Sequence, residues 1–211
     1  MKHLFAIALL AISQLLFAQK DIKAFYQYTT SFPKSKFGGF GANIIYELNQ
    51  KDNKGNFRIK EGERFYDNQF YYYDLDSKKY EHYQNYKGDW YHIFGDFENL
   101  DFVFSEETAI INNCEAKKAE YFKDDFKVIE VWYCPSKTLQ FFPLDRGYQY
   151  HQLPGYVVNL KIYINNKAGQ ITEYKLLEFK ENKAAEIVKP ENGIKLTSKE
   201  AKEQFKVNAG F

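Results

Sequence analysis

The chain has 211 residues, with 29 Lys and Arg against 28 Asp and Glu for a formal net charge of +1, and 19% of its residues are aromatic. So even a balance excludes the basic footprint of a nucleic-acid binder and the polybasic patch of a protein held on anionic lipid. The length suits one domain with a substantial core.

Lys2 and the apolar run from Leu4 to Phe17, followed by the small Ala18 before Gln19, have the pattern of a secretory signal peptide. The run is too short, with the wrong flanks, for a membrane span, and no Cys follows it to take a lipid. The expected organisation is a signal peptide at 1–18 and a single β-rich domain at 19–211, exported to the periplasm or secreted. Loss of Lys2 leaves 28 − 28 = 0 formal charge.

From residue 21 the pattern has period two. Strands are expected at 21–30, 42–50, 57–66, 69–75, 79–86, 89–94, 101–104, 108–112, 115–122 and 126–134, with turns at Asp52 to Asn56, Asp76-Ser77, Lys87-Gly88 and Asp124-Asp125. The glycine-rich 38–42 reads as a loop, since it precedes a strand and lacks the helix terminus that cradles phosphate. Residues 135–154 break the rhythm. A hairpin at 156–165 and 170–180 follows, and Ser198 is placed to cap a short helix over 200–206. The fold class is therefore mainly β: a single antiparallel meander forming a curved sheet or partial β-barrel, with a short C-terminal helix.

The break itself is Leu153-Pro154-Gly155. Pro154 cannot donate to a ladder and suits the first position of a strand, while Gly155 permits a sharp turn with positive φ. The motif reads as a mark of the fold rather than a site. Together with "TAIINNCEAKKAEYF" (Lys118-Ala119), "KVIEVWYCP" (Trp132, Tyr133, Pro135) and "YHQLPGYVVNLKI", it resembles the GLPGLI family of exported Bacteroidota proteins. The departures are Gln152 in place of Gly, Tyr156-Val157 in place of Leu-Ile, and Asp145-Arg146-Gly147 in the region where a Gly-Pro usually precedes the motif. The resemblance implies export and a β-rich fold and brings no catalytic residues.

Cys114 and Cys134 are the only cysteines, in a chain bound for an oxidising compartment. Folding 115–122 onto 126–133 around Asp124-Asp125 brings them to the open ends of one hairpin, so a Cys114–Cys134 disulfide is expected. His82, His92 and His151 lack the short spacing of a compact zinc motif, and the Asp-rich turns lack the far acidic ligand of a calcium loop. No metal and no cofactor are expected, and no catalytic set is assembled. The candidate ligand contacts are Arg146, Tyr148 and His151 in the polar-aromatic run 145–151, with Trp90 and Trp132.

The function expected is a non-catalytic envelope module that binds an apolar molecule or a protein partner on the concave side of its sheet. In architecture it resembles the half-barrel carriers of lipoproteins. One alternative is a hydrolase-type enzyme on an envelope substrate using His151 with Asp145 or Arg146. The other is an assembly protein using an open sheet edge.

Overall fold

Two-residue turns set the register of the sheet. A computed structural model describes residues 21–36, 39–62, 64–65, 69–143, 150–167, 169–187, 190 and 192–209; the expected signal peptide at 1–18 lies outside them. The strands are β1 (Ile22–Ser31), β2 (Gly39–Lys51), β3 (Lys54–Glu61), β4 (Arg64–Phe65), β5 (Gln69–Asp74), β6 (Lys79–Tyr86), β7 (Asp89–Asp96), β8 (Val103–Ile111), β9 (Cys114–Lys123), β10 (Phe126–Pro135), β11 (Gly155–Tyr163), β12 (Ile171–Glu181) and β13 (Ile194–Thr197), followed by helix α1 (Ser198–Ala209). The pairs Lys51–Lys54, Tyr86–Asp89, Ile111–Cys114 and Lys123–Phe126 each close on two residues. Those residues, Asp52-Asn53, Lys87-Gly88, Asn112-Asn113 and Asp124-Asp125, all have positive φ. Such turns twist with the strands they join, and Asp, Asn and Gly tolerate that backbone best. Asp125 sits at φ 61°, so Asp125→Gly is expected to stabilise the fold by about 0.5 kcal/mol, read as a higher urea midpoint.

The strands form one sheet in the order β13-β7-β6-β5-β3-β2-β1-β12-β11-β10-β9-β8, with β4 on β3. Two meanders, β1 to β7 and β8 to β12, join through β1 and β12. Neighbours are antiparallel, except that β13 runs parallel to β7. Bulges at Phe25/Tyr26, Trp132/Tyr133 and Lys127/Ile129 bend the strands. The sheet stays open, with β13 and β8 as its edges. The expected mainly β, curved sheet with a C-terminal helix is the fold observed.

One face carries the main core: Tyr26, Leu48, Phe57, Tyr73, Val131, Leu160 and Tyr174 are all buried within one cluster. Residues 136–143 and 150–153 pack against that face and add Phe141, Phe142, Tyr150 and Leu153, none more than 1% exposed. Phe142 stacks on Tyr73 at 5.6 Å and Phe141 on Tyr156 at 4.9 Å. Polar groups pin the segment down. The Phe141 carbonyl accepts from the Val157 N–H (3.0 Å), and the Gln140 carbonyl accepts from Gln50 Nε2 (3.0 Å), whose Oε1 accepts from Tyr73 (2.6 Å). The aromatic residues here fill a core.

His82 belongs to this face, stacked on Tyr71 at 4.2 Å with its Nε2 sealed from solvent and without a partner among the described residues. Burial holds its pKa down to about 4. The folded state therefore binds fewer protons than the unfolded chain between pH 6.5 and 4, and stability present above pH 6.5 is lost as pH falls through that window. Lowering the pH from 7 to 5 should cost about 2 kcal/mol through this group. His82→Phe should flatten that part of the pH profile measured by urea unfolding.

Several local expectations are corrected. Residues 39–42 of the glycine-rich stretch lie within β2, with Gly39 and Phe40 paired to β1; a Cβ on Gly39 would fall 2.5 Å from the Thr30 carbonyl oxygen, so glycine serves close approach there. The expected strands 101–104 and 108–112 are one strand, β8. Ser105, Glu106 and Glu107 bulge opposite the single residue Lys118, which interrupts the alternation. The helix is capped by Thr197, not Ser198: Thr197 Oγ1 accepts from the Glu200 N–H at 3.2 Å, and Glu200 Oε2 accepts from the Thr197 N–H at 2.7 Å. The Thr197 N–H, and with it the Thr197 hydroxyl, donates to the Glu200 carboxyl and holds it below its usual pKa.

At the Leu-Pro-Gly break, Pro154 immediately precedes β11 as expected, and its carbonyl accepts from the Ser136 N–H at 3.1 Å. Gly155 does not use positive φ. It lies opposite Pro135, where a Cβ would come within 1.9 Å of the Cys134 carbonyl oxygen. The glycine is required by contact between backbones, not by a turn. The Cys114–Cys134 disulfide is present, with the Cα atoms 6.2 Å apart.

A candidate ligand-binding cavity at the β6–β7–β13 edge

Alternation along β6 and β7 sends Glu81, Tyr83, His92 and Phe94 to the face opposite the main core. The register pairs Tyr83 with His92 and Glu81 with Phe94, so the four side chains meet. Phe70 of β5 extends the row: centroids are 6.0 Å apart for Phe70–Tyr83, 4.4 Å for the stacked Tyr83–His92 pair and 5.8 Å for His92–Phe94. Glu81 Oε2 ties the row together, accepting from the Tyr83 hydroxyl at 2.6 Å and lying 2.6 Å from His92 Nε2. An ionised carboxylate only accepts, so Nε2 carries the proton. Burial raises the Tyr83 hydroxyl pKa and the bond to Glu81 adds to it, which keeps the phenol a donor.

The row ends in a cavity of about 730 Å³. The parallel pairing of β13 sets Lys195 beside His92 and Thr197 beside Phe94. The start of α1 contributes Ser198 and Lys199, β6 contributes Lys79 and Tyr80, and Asp96, Phe97 and Glu98 line it from the end of β7 and the residues just after. Phe94 is 40% exposed. The Ser198 hydroxyl lies 2.6 Å from that of Tyr80 and donates to the Phe94 carbonyl at 3.1 Å. This arrangement offers an apolar ring wall, charged arms and one fixed carboxylate–imidazole pair. Among the described residues no cluster of His, Cys, Asp and Glu is arranged to hold a metal.

Of the candidate contacts read from the sequence, Trp90 lies on β7 two residues before His92 and, by the same alternation, on its face. Trp132 is on β10, with seven strands between it and β7 in the sheet order. Lys118 Nζ lies 5.9 Å from its ring centroid. His151 packs on Phe97 at 5.2 Å, one ring away from the cavity, with its pKa lowered by burial and then by Lys78. Asp145, Arg146 and Tyr148 lie outside the described residues. Sequence reasoning missed Glu81, Tyr83, Phe94, Phe97 and Lys195. The Lys87-Gly88 turn carried the signal for the first three, since a two-residue turn there fixes which β6 residue faces which on β7.

The β8 edge bears on the assembly alternative. Val103, Phe104 and Ile110 are more than half exposed along it. The Ser105–Glu107 bulge interrupts its ladder, and Glu107 accepts from Lys118 at 2.9 Å. A bulge with charge is a common guard against edge pairing.

No family model and no curated protein matches the chain. Solved structures do. PNGF-II, crystallised in space groups C2 and P21, aligns at 13% and 15% identity with a TM-score of 0.60, covering 87% and 88% of this chain. Only 32% and 33% of PNGF-II is covered, so the chain spans about a third of that protein's length. The likeness shows a shared fold. An uncharacterized conserved protein from Thermus thermophilus aligns at 11% identity over 82% of this chain and 90% of its own, with a TM-score of 0.43. A LolA superfamily protein from Nitrosomonas europaea aligns at 11% over 82% and 89%, with 0.35. Both scores are too low to show a shared fold. Among the described residues no helix is long and apolar enough to cross a membrane.

Proposed function

We propose that this chain is an exported, non-catalytic binding module whose ligand sits in the cavity at the β6–β7–β13 edge. The observation that carries the reading is the cavity of about 730 Å³ with a half-exposed phenyl ring and charged arms in its wall. Concave sites of this size with a few placed polar groups are where small ligands bind. The main core face, where the sequence placed an apolar cargo, is occupied by Phe141, Phe142, Tyr150 and Leu153. The seat therefore moves to the sheet's edge. Glu81, His92 and Tyr83 bond to one another, which suits a rigid wall.

Native mass spectrometry of the mature chain purified from a bacterial periplasm tests this. The expected result is a bound species of defined extra mass that is lost or reduced in Phe94→Ala. A chain that emerges bare and takes up no mass from a periplasmic extract overturns the proposal.

A further inference from the structure

We infer that the ligand of this cavity is an organic anion with a flat or apolar body, its charge held by Lys79, Lys195 and Lys199 against the rings of Phe94 and Phe97. The inference rests on the reading of the cavity as the binding seat. It follows from which polar groups in the wall are already engaged. Tyr80 and Ser198 hydroxyls bond to each other, Thr197 Oγ1 caps the helix, and Glu81 holds both Tyr83 and His92. What remains is charge: three ammonium groups against the carboxylates of Asp96 and Glu98.

On β9 to β11 Lys118, Lys127 and Lys161 each lie within 3.6 Å of a glutamate oxygen. Among the described residues no carboxylate pairs with Lys79, Lys195 or Lys199, although Asp96 is the cross-strand neighbour of Lys79. Three exposed ammonium groups gathered around one cavity can close together on an anion, and their bonds to it are charge-assisted. The exposed Phe94 ring and its neighbour Phe97 offer contact to the body of the ligand. A free inorganic anion would leave those rings in water, and a neutral apolar molecule would leave the lysines without partners.

The test uses the full mature chain with two fluorescent probes, anionic anilinonaphthalene sulfonate and neutral phenylnaphthylamine. Replacing all three lysines (Lys79→Gln, Lys195→Gln, Lys199→Gln) should weaken the sulfonate probe by roughly tenfold or more and leave the neutral probe unchanged. Phe94→Ala should weaken both. Benzoate and phenyl phosphate, added as competitors, separate a carboxylate from a phosphate headgroup; displacement by either supports the inference and by neither overturns it. If the triple variant binds the sulfonate as tightly as wild type while Phe94→Ala does not, the cavity stands and the anion is wrong. If Phe94→Ala binds both probes normally, or wild type binds neither, the cavity falls too. Urea midpoints of both variants that match wild type exclude a folding defect as the cause.

Discussion

Gly155→Ala should cost the fold roughly 3 kcal/mol or more. The new methyl carbon would fall 1.9 Å from the Cys134 carbonyl oxygen and 3.0 Å from Pro135 Cα. Both neighbours are backbone, so no side chain can swing away to relieve the overlap. Relief requires β10 and β11 to part where Cys134 faces Tyr156. Cys134 is anchored there by its disulfide, and Val157 just beyond holds Phe141 and the hydroxyl of Tyr26 at 2.7 Å. Opening the pair thus loosens the segment that fills the main core. The measurement is urea unfolding of Gly155→Ala beside Pro154→Ala. Pro154 is exposed, and its replacement should stay within about 1 kcal/mol. Equal midpoints for the two variants would show that the strands part freely and that the contact does not govern the position.

Reducing Cys114–Cys134, or replacing both by alanine, should cost about 3 kcal/mol, from closing a loop of 20 residues in the unfolded chain. The check is the urea midpoint with and without reductant, alongside an oxidised mass two hydrogens below the reduced one. Because Cys134 touches Gly155, the two effects should not add. In the reduced protein the end of β10 can shift, so Gly155→Ala should cost less there than in the oxidised form. Strict additivity would show that the disulfide does not hold that end of β10.

The hairpins were legible because turn chemistry and alternation agreed: Lys87-Gly88 and Asp124-Asp125 stand between period-two runs and need positive φ, while the turn expected over Asp52 to Asn56 is only Asp52-Asn53, since Lys54 to Asn56 already pair within β3. The cysteine pairing followed from one of them. The pairing of β1 with β12 was not legible, since neither strand's pattern names a partner so distant in the chain, and β13 is too short to show a period. At the Leu-Pro-Gly break the place of Pro154 directly before β11 was legible, whereas the need for Gly155 was not, because its proximity to Cys134 is a tertiary fact. The site shows the same division. Trp90 and His151 were picked for their chemistry; Trp90 shares the face of His92, and His151 packs on Phe97 of the cavity wall. Lys195 reaches the cavity only through a parallel pairing that no local pattern announces; the helix start that carries Lys199 was legible, but not its place beside β7.

The small core formed by Tyr91, Ile93, Ala201, Tyr86 and Leu196 is separate from the main one, and it is what holds β13 and α1 to β7. This end of the chain is therefore expected to melt on its own, coming away while the body of the sheet stays intact. Since Lys195 and Lys199 travel with it, the empty and loaded proteins should differ in how often that end is docked. Hydrogen exchange at residues 194–201 would then slow on loading while the strands under Phe142 keep their rates, and a Leu196→Ala change outside the cavity wall would weaken the ligand by loosening the end that carries both of those ammonium groups.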